Sequence, residues 1–134
     1  MEPQISQITQ IDNKKDSFSY EIIGAAMEVH SELGPGFLEA VYQEAMEIEL
    51  RERKVPFAAQ PQIKLYYKQY PMDKFYKPDF ICFDSHLVEI KAETCLTKVD
   101  EAQIINTLKA ARLQTGLLIN FGQPSLKYQR FVYG

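Results

Sequence analysis

Cysteine is scarce in this chain: Cys82 and Cys95 are the only two in 134 residues. They lack metal-ligand spacing, and His30 and His86 stand apart from them, which argues against a zinc site. Cys82 lies in an apolar, strand-like run and reads as a small buried hydrophobe in a reducing compartment. Long apolar runs are missing too. None approaches the length of a membrane span. Residues 1–16 are polar with scattered isoleucines and lack the apolar block of a signal peptide. The expected location is therefore the cytoplasm. Internal repeats and low-complexity tracts are absent, as are Gly-x-Ser-x-Gly, a Walker loop and Gly-x-Gly-x-x-Gly. An excess of positive charge is also lacking. Fifteen Lys and Arg against 18 Asp and Glu leave a net charge of −3. Such a chain does not grip nucleic acid by bulk electrostatics, so a nucleic-acid partner would need a bound metal or a local basic patch.

What is present suits one domain. The chain is 46% hydrophobic and 25% charged, ordinary values for a globular protein, and long enough for a single core. Residues 1–16 are expected to be a flexible N-terminal segment and residues 17–134 the domain. Phe18, Ile22, Ala25, Ala26, Val29 and Leu33 recur at helical spacing, with Asp16 or Ser17 to cap the start and Gly34-Pro35 to end the helix. A second helix is expected from about Phe37 to Lys54, with Leu38, Val41, Tyr42, Ala45 and Ile48 on its buried stripe. Strands follow near 57–60 and 63–67, read as one strand bent at Pro61, with a turn over 70–74. Thr97 and Asp100 form a capping box that opens a helix to about Arg112. Gly116–Phe121 and Tyr128–Val132 read as strands.

The chemistry-bearing stretch is Lys77-Pro78-Asp79, followed by Glu89-Ile90-Lys91. Tyr76–Phe83 and Leu87–Lys91 are strand-like, and Asp84-Ser85-His86 between them is short and polar, so the pair reads as a hairpin. Side chains alternate along a strand, so Glu89 and Lys91 share a face. A three-residue loop at 84–86 pairs Phe83 with Leu87, Ile81 with Glu89 and Asp79 with Lys91. Asp79 then joins Glu89 and Lys91 on one face, whereas a two-residue turn would send it to the other. Two neighbouring carboxylates call for a cation between them. Mg²⁺ suits hard oxygen donors, and can polarise a phosphoryl oxygen and activate water. Lys91 could orient or deprotonate that water, or stabilise charge on a phosphate. The plainer alternative is a Lys91–Asp79 salt bridge with Glu89 solvated.

Gly36-Phe37-Leu38-Glu39-Ala40-Val41-Tyr42 matches Gly-x-x-Glu-x-x-Tyr. His30-Ser31-Glu32-Leu33-Gly34-Pro35 precedes it. Pro78-Asp79, Glu89-Ile90-Lys91-Ala92, Glu101-Ala102-Gln103 and Leu118-Ile119-Asn120-Phe121-Gly122 follow in order. Over roughly Ser17 to Val132 the chain resembles the GxxExxY family, a branch of the PD-(D/E)XK nuclease-like superfamily. That resemblance implies an α/β fold with a restriction-endonuclease-like core, a mixed β-sheet flanked by helices. It also implies that Glu39, Asp79 and Glu89 gather around a divalent metal, Mg²⁺ or Mn²⁺, with Lys91 as the catalytic lysine and Gln103 near the site. Such branches commonly carry a Tyr four residues after that Gln; this chain has Thr107.

Other readings of the same residues stay open. With Gly36 as N-cap, Glu39 would be the third helical residue, reaching back to the cap amide. Tyr42 reads as a packing residue with a locally bonded hydroxyl. His30 reads as structural, holding the Gly34-Pro35-Gly36 turn. Between Gln62 and Lys77, four lysines alternate with five aromatic residues against one acid, Asp73. This stretch is either a binding surface or, as the stronger reading, an edge strand protected by lysines. The function expected is metal-dependent hydrolysis of nucleic-acid phosphodiester bonds. The alternative is a non-catalytic nucleic-acid- or protein-binding domain on the same scaffold. DNA and RNA are not distinguished, no membrane partner is expected, and monomer and homodimer both stay open.

Overall fold

A computed structural model describes the chain at Gln4–Ile5 and from Asp16 to Gly134. The expectation of a flexible N-terminal segment therefore falls outside the described residues, apart from a two-residue strand, β1 (Gln4–Ile5). Asp16 caps α1 (Ser17–Leu33) by accepting the Ser19 amide, as a local acid before an apolar-periodic run should. Gly34 ends the helix with its amide on His30 O. α2 spans Glu39–Glu52. β2 (Phe57–Ala59), β3 (Ile63–Tyr67), β4 (Tyr70–Tyr76), β5 (Phe80–Cys82) and β6 (His86–Lys91) follow. α3 (Lys98–Ala111) opens with the expected capping box, Thr97 and Asp100 bonding each other's backbone. β7 (Thr115–Asn120) and β8 (Lys127–Val132) complete the chain.

The main sheet has the order β1-β8-β7-β6-β5-β2. Only β6 and β7 run parallel, joined by α3 as the crossover, so the sheet is mixed. Alternation along β5, β6 and β7 sends Phe80, Cys82, Val88, Ile90, Leu117 and Ile119 to one face. There they pack on Ile22, Ala25, Ala26 and Val29 of α1 and on Tyr42, Met46 and Leu50 of α2. Leu87, Leu118 and Phe131 face the other way, onto Ile104 and Leu108 of α3. This is the expected α/β core, a mixed sheet flanked by helices on both sides. Cys82 is buried in it, and burial pushes its thiol up to about 12.

Several local expectations are corrected. Residues 57–67 are not one bent strand: β2 pairs with β5 in the main sheet, whereas β3 pairs with β4 in a separate two-stranded ribbon. Nor is 70–74 a turn. The ribbon reverses at Lys68-Gln69, with Lys68 in left-handed conformation (φ 56°), and Pro71 is tolerated because a ribbon has open edges. The α2 stripe was misplaced: Leu38 (79% exposed), Val41 and Ile48 face outward, and Tyr42, Met46 and Leu50 form the buried side. Phe18 is also half-exposed, its ring stacked on Phe83 at 3.9 Å.

The hairpin loop is Phe83-Asp84-Ser85 rather than 84–86. Phe80 pairs with Val88, Ile81 with Leu87 and Cys82 with His86. His86 is drawn into the ladder by a tertiary contact: its Nε2 lies 2.8 Å from Asp16 Oδ1. The same carboxylate accepts the Ser19 hydroxyl and, at 2.9 Å, Arg130 Nε. Burial opposes the charge on Asp16, but the Ser19, His86 and Arg130 partners hold its pKa down at about 2. The loop still has three residues, so the register moves by two and every side chain keeps its face.

Candidate active site

Continuing that register by one position sets Asp79 opposite Glu89, not opposite Lys91 as expected. The two residues are tied by crossed hydrogen bonds. The Asp79 amide donates to Glu89 Oε1 (2.9 Å), and the Ile90 amide donates to Asp79 Oδ2 (2.7 Å). Asp79 O accepts from the Gln60 amide at 3.0 Å and from Gln43 Nε2 at 3.3 Å. The chain entering the site is thus pinned from β2, α2 and β6 at once. Each carboxylate keeps one oxygen free of any backbone amide.

Both carboxyls are half-buried. Desolvation, opposed by the Ile90 amide, holds the Asp79 pKa above the usual carboxylate range. Desolvation and the nearby Asp79 charge also raise Glu89, to about 7. Each carboxyl thus disfavours ionisation of its neighbour, the setting in which a cation between them would be most stabilising.

Lys91 shares their face but does not bridge to Asp79. Its Nζ lies 3.5 Å from Gln103 Oε1 and 3.8 Å from Asp100 Oδ1, both on α3. The simple alternative of a Lys91–Asp79 salt bridge with a solvated Glu89 is therefore not what forms. Gln103 is beside the lysine, as the motif implied. Thr107 is buried, its hydroxyl on Gln103 O, and contributes nothing to the site surface.

Glu39 is the first residue of α2, with Leu38 as N-cap, so it is not a capping-box residue. It stands exposed at the rim. Its pKa is raised by partial desolvation and by the Asp79 charge, with Lys91 opposing. Tyr42 explains the motif's other end. Its hydroxyl donates to Gly34 O and accepts the Phe37 amide (3.2 Å), and its ring stacks on Phe121 at 4.7 Å. Tyr42 thereby anchors the turn that leads into Glu39. His30 does not hold this turn with its ring; its Nε2 donates to Gln123 O at 2.9 Å.

Four contributors escaped the sequence reading. Asp100 caps α3 and also faces Lys91. Burial opposes its charge, but hydrogen bonds from Glu93 and Thr97 keep its pKa low. The Glu93 pKa is raised, first by the adjacent Asp100 carboxyl and then by partial desolvation. Asn120 is fully buried: its Oδ1 accepts the Glu93 and Gly122 amides, and its Nδ2 donates to Glu93 O and Gln123 Oε1. Gly122 lets this clasp close, because a Cβ there would sit 2.3 Å from Glu93 O. The signal was visible in Asn120-Phe121-Gly122, but its partner, 27 residues away, was not.

A family model of the PD-(D/E)XK nuclease superfamily matches residues 16–131. The chain belongs to the PD-(D/E)XK nuclease superfamily. No curated protein and no solved structure matches it. Nucleases of this superfamily generally use divalent metals, and the donor set here fits one. Two hard carboxylates lie side by side at a point where their own charges are disfavoured, each with an oxygen open. Among the described residues no group of three Asp, Glu, His or Cys is placed to hold an ion by protein ligands alone. Glu39, exposed at the rim, therefore does not complete the expected trio with Asp79 and Glu89, which leaves those two as the paired donors. Among the described residues no helix is long and apolar enough to cross a membrane.

Proposed function

We propose that this protein is a cytoplasmic, Mg²⁺- or Mn²⁺-dependent nuclease of the GxxExxY branch that hydrolyses nucleic-acid phosphodiester bonds. The observation that carries this reading is the Asp79–Glu89 pair, two partly buried carboxyls locked side by side by crossed backbone hydrogen bonds, with Lys91 on the same face. Asp79 and Glu89 would hold the metal. When bound, the ion supplies phosphoryl polarisation and a more acidic water. Glu39, at the rim, adds negative potential that favours a cation and can accept a hydrogen bond from metal-bound water.

Lys91 has a separate task. Gln103 Oε1 and Asp100 Oδ1 take up Nζ itself from the α3 side, so the ammonium group is steadied without pairing with Asp79. From there it can donate to a phosphate oxygen or orient the attacking water. The Asn120 clasp fixes the backbone just beyond Lys91, and the Phe121 amide donates to Lys91 O at 2.8 Å. The lysine is thus positioned from β7 as well as α3, and such preorganisation is what a charge-stabilising group requires.

The test is cleavage of single- and double-stranded DNA and RNA with Mg²⁺, with Mn²⁺ and with EDTA. Cleavage is expected only with metal, and Glu89→Ala and Lys91→Ala should each abolish it. Equal activity in wild type and Lys91→Ala would assign the cleavage to a contaminant or another site. Binding without cleavage of any substrate would favour the non-catalytic alternative.

A further inference from the structure

The ribbon β3–β4 stands apart from the main sheet and packs against α3. Between them runs an open groove of about 750 Å³. Its walls carry Lys64, Lys68, Lys109 and Arg112 together with Tyr66 and Tyr76, and none of its lining residues is acidic. In a protein with more acids than bases, this is a sharp local reversal of charge. Among the described residues none of these four cations is paired with a carboxylate. Lys68 and Arg112 also sit in left-handed backbone (φ 56° and 60°), where glycine is the easier choice.

Both walls lead to the acid pair. On α3, Gln103 beside Lys91 is followed at helical spacing by Asn106 and Ala110 in the groove. At about 1.5 Å per residue, those seven residues span about 10 Å. On the ribbon, Tyr76 in the groove is three residues from Asp79. We propose that this groove is the substrate track of the site and that its occupant is an unpaired polynucleotide strand. The inference rests on the nuclease reading for its direction, but not for its binding chemistry.

Aromatic exposure decides between a single strand and a duplex. Tyr66 is 58% exposed among the lysines, and Tyr70 at the ribbon tip is 71% exposed. Such rings gain by stacking on bases whose faces are open, which a duplex does not offer. The cations supply the phosphate contacts that a net charge of −3 otherwise denies the protein.

The experiment is fluorescence anisotropy in EDTA, with labelled oligodeoxyuridylate and oligouridylate of about ten nucleotides and a mixed-sequence DNA duplex of equal length. Single strands should bind more tightly than the duplex; the tighter of the two identifies the preferred sugar. For single strands, each phosphate contact contributes about −0.7 to the slope of log affinity against log salt. Lys64→Ala and Lys109→Ala should each make the slope shallower by about that amount. Tyr66→Ala should weaken binding about tenfold with the slope unchanged, and Tyr66→Phe should restore it. All these side chains project into open solvent, so melting temperatures should not move.

A duplex bound as tightly as the single strand, no binding of either, or lysine variants that bind like wild type would overturn the proposal. Metal-dependent cleavage of the same strands is scored separately. Normal binding without cleavage sinks the nuclease reading and keeps the groove. Cleavage unaffected by the lysine and tyrosine variants does the reverse.

Discussion

Glu89→Gln should stabilise the metal-free protein at neutral pH, although it removes the residue most central to the proposed site. Glutamine keeps the oxygen that accepts the Asp79 amide, and its NH₂ can donate to the neighbouring Asp79 carboxylate without adding a second charge. The magnitude follows from linkage. Raising the Glu89 carboxyl from 4.5 to about 7 leaves the native state holding a proton that the unfolded chain has already released across that interval. Stability from this group is therefore complete below about pH 4.5 and is lost as pH rises to about 7. At about 1.4 kcal/mol per pH unit, the loss is on the order of 3 kcal/mol.

For a chain of this length that corresponds to about 10 °C in melting temperature. Asp79, also raised, acts in the same direction. The assay is a set of thermal melts in EDTA from pH 5 to 8 for wild type and Glu89→Gln. Taking the difference cancels His30, His86 and the other groups distant from Glu89, and leaves Glu89 with its neighbour Asp79. The curves should lie closest at pH 5, diverge up to about pH 7 and run parallel above it, with the variant higher. Excess Mn²⁺ should then raise only the wild type, by about 3 kcal/mol at a hundredfold over Kd. A variant that melts below wild type at pH 7.5 without metal would refute the account of the acid pair.

Asp79→Asn should likewise leave the apo fold as stable as wild type or more so, because the amide oxygen can still accept the Ile90 N–H, while Mn²⁺ stabilisation disappears in the same melts. Asp16→Ala should destabilise by about 3–5 kcal/mol in urea titrations, because it strands Arg130 and His86 in a buried site; a loss below 1 kcal/mol would contradict the network. The native Asp16 carboxyl, held at about 2, contributes stability above its unfolded value of 3.8. That stability drains away as pH falls from 3.8 through 2, so Asp16 should show as an acid limb well separated from the Glu89 limb. Gly122→Ala should lower the yield or melting temperature sharply, since its Cβ meets backbone at 2.3 Å; a variant that melts like wild type would show that the Asn120 clasp is slack.

Sequence alone determined what depends on residues a few positions apart. Asp16 and Thr97 cap α1 and α3 because a cap needs only the next three amides, and the helical spacing of α1 located both of its ends. The shared face of Asp79, Glu89 and Lys91 was equally local. It required an odd loop, and that conclusion survived a register error of two because side-chain direction depends only on parity. Tyr42 was legible as a locally bonded anchor for the same reason.

Tertiary structure decided everything that needed a distant partner. The register itself was set by Asp16, 70 residues from His86, which drew His86 into the strand and left Phe83 in the turn. The buried side of α2 depended on where α1 and the sheet lay, and its composition offered apolar residues all round. Lys91 turned to Asp100 and Gln103 because the β6–β7 crossover lays α3 over that end of β6. No periodicity in the chain encodes that placement. The basic groove arose the same way: the lysine- and aromatic-rich stretch of the ribbon was legible in the sequence, but only its packing against α3 adds Lys109 and Arg112 and brings four like charges together without an acid. Hydrogen bonds and side-chain alternation act within a few residues and can be read along the chain. Charge, desolvation and packing act across space, so the acid pair, the lysine's partners and the groove take their character from the folded molecule.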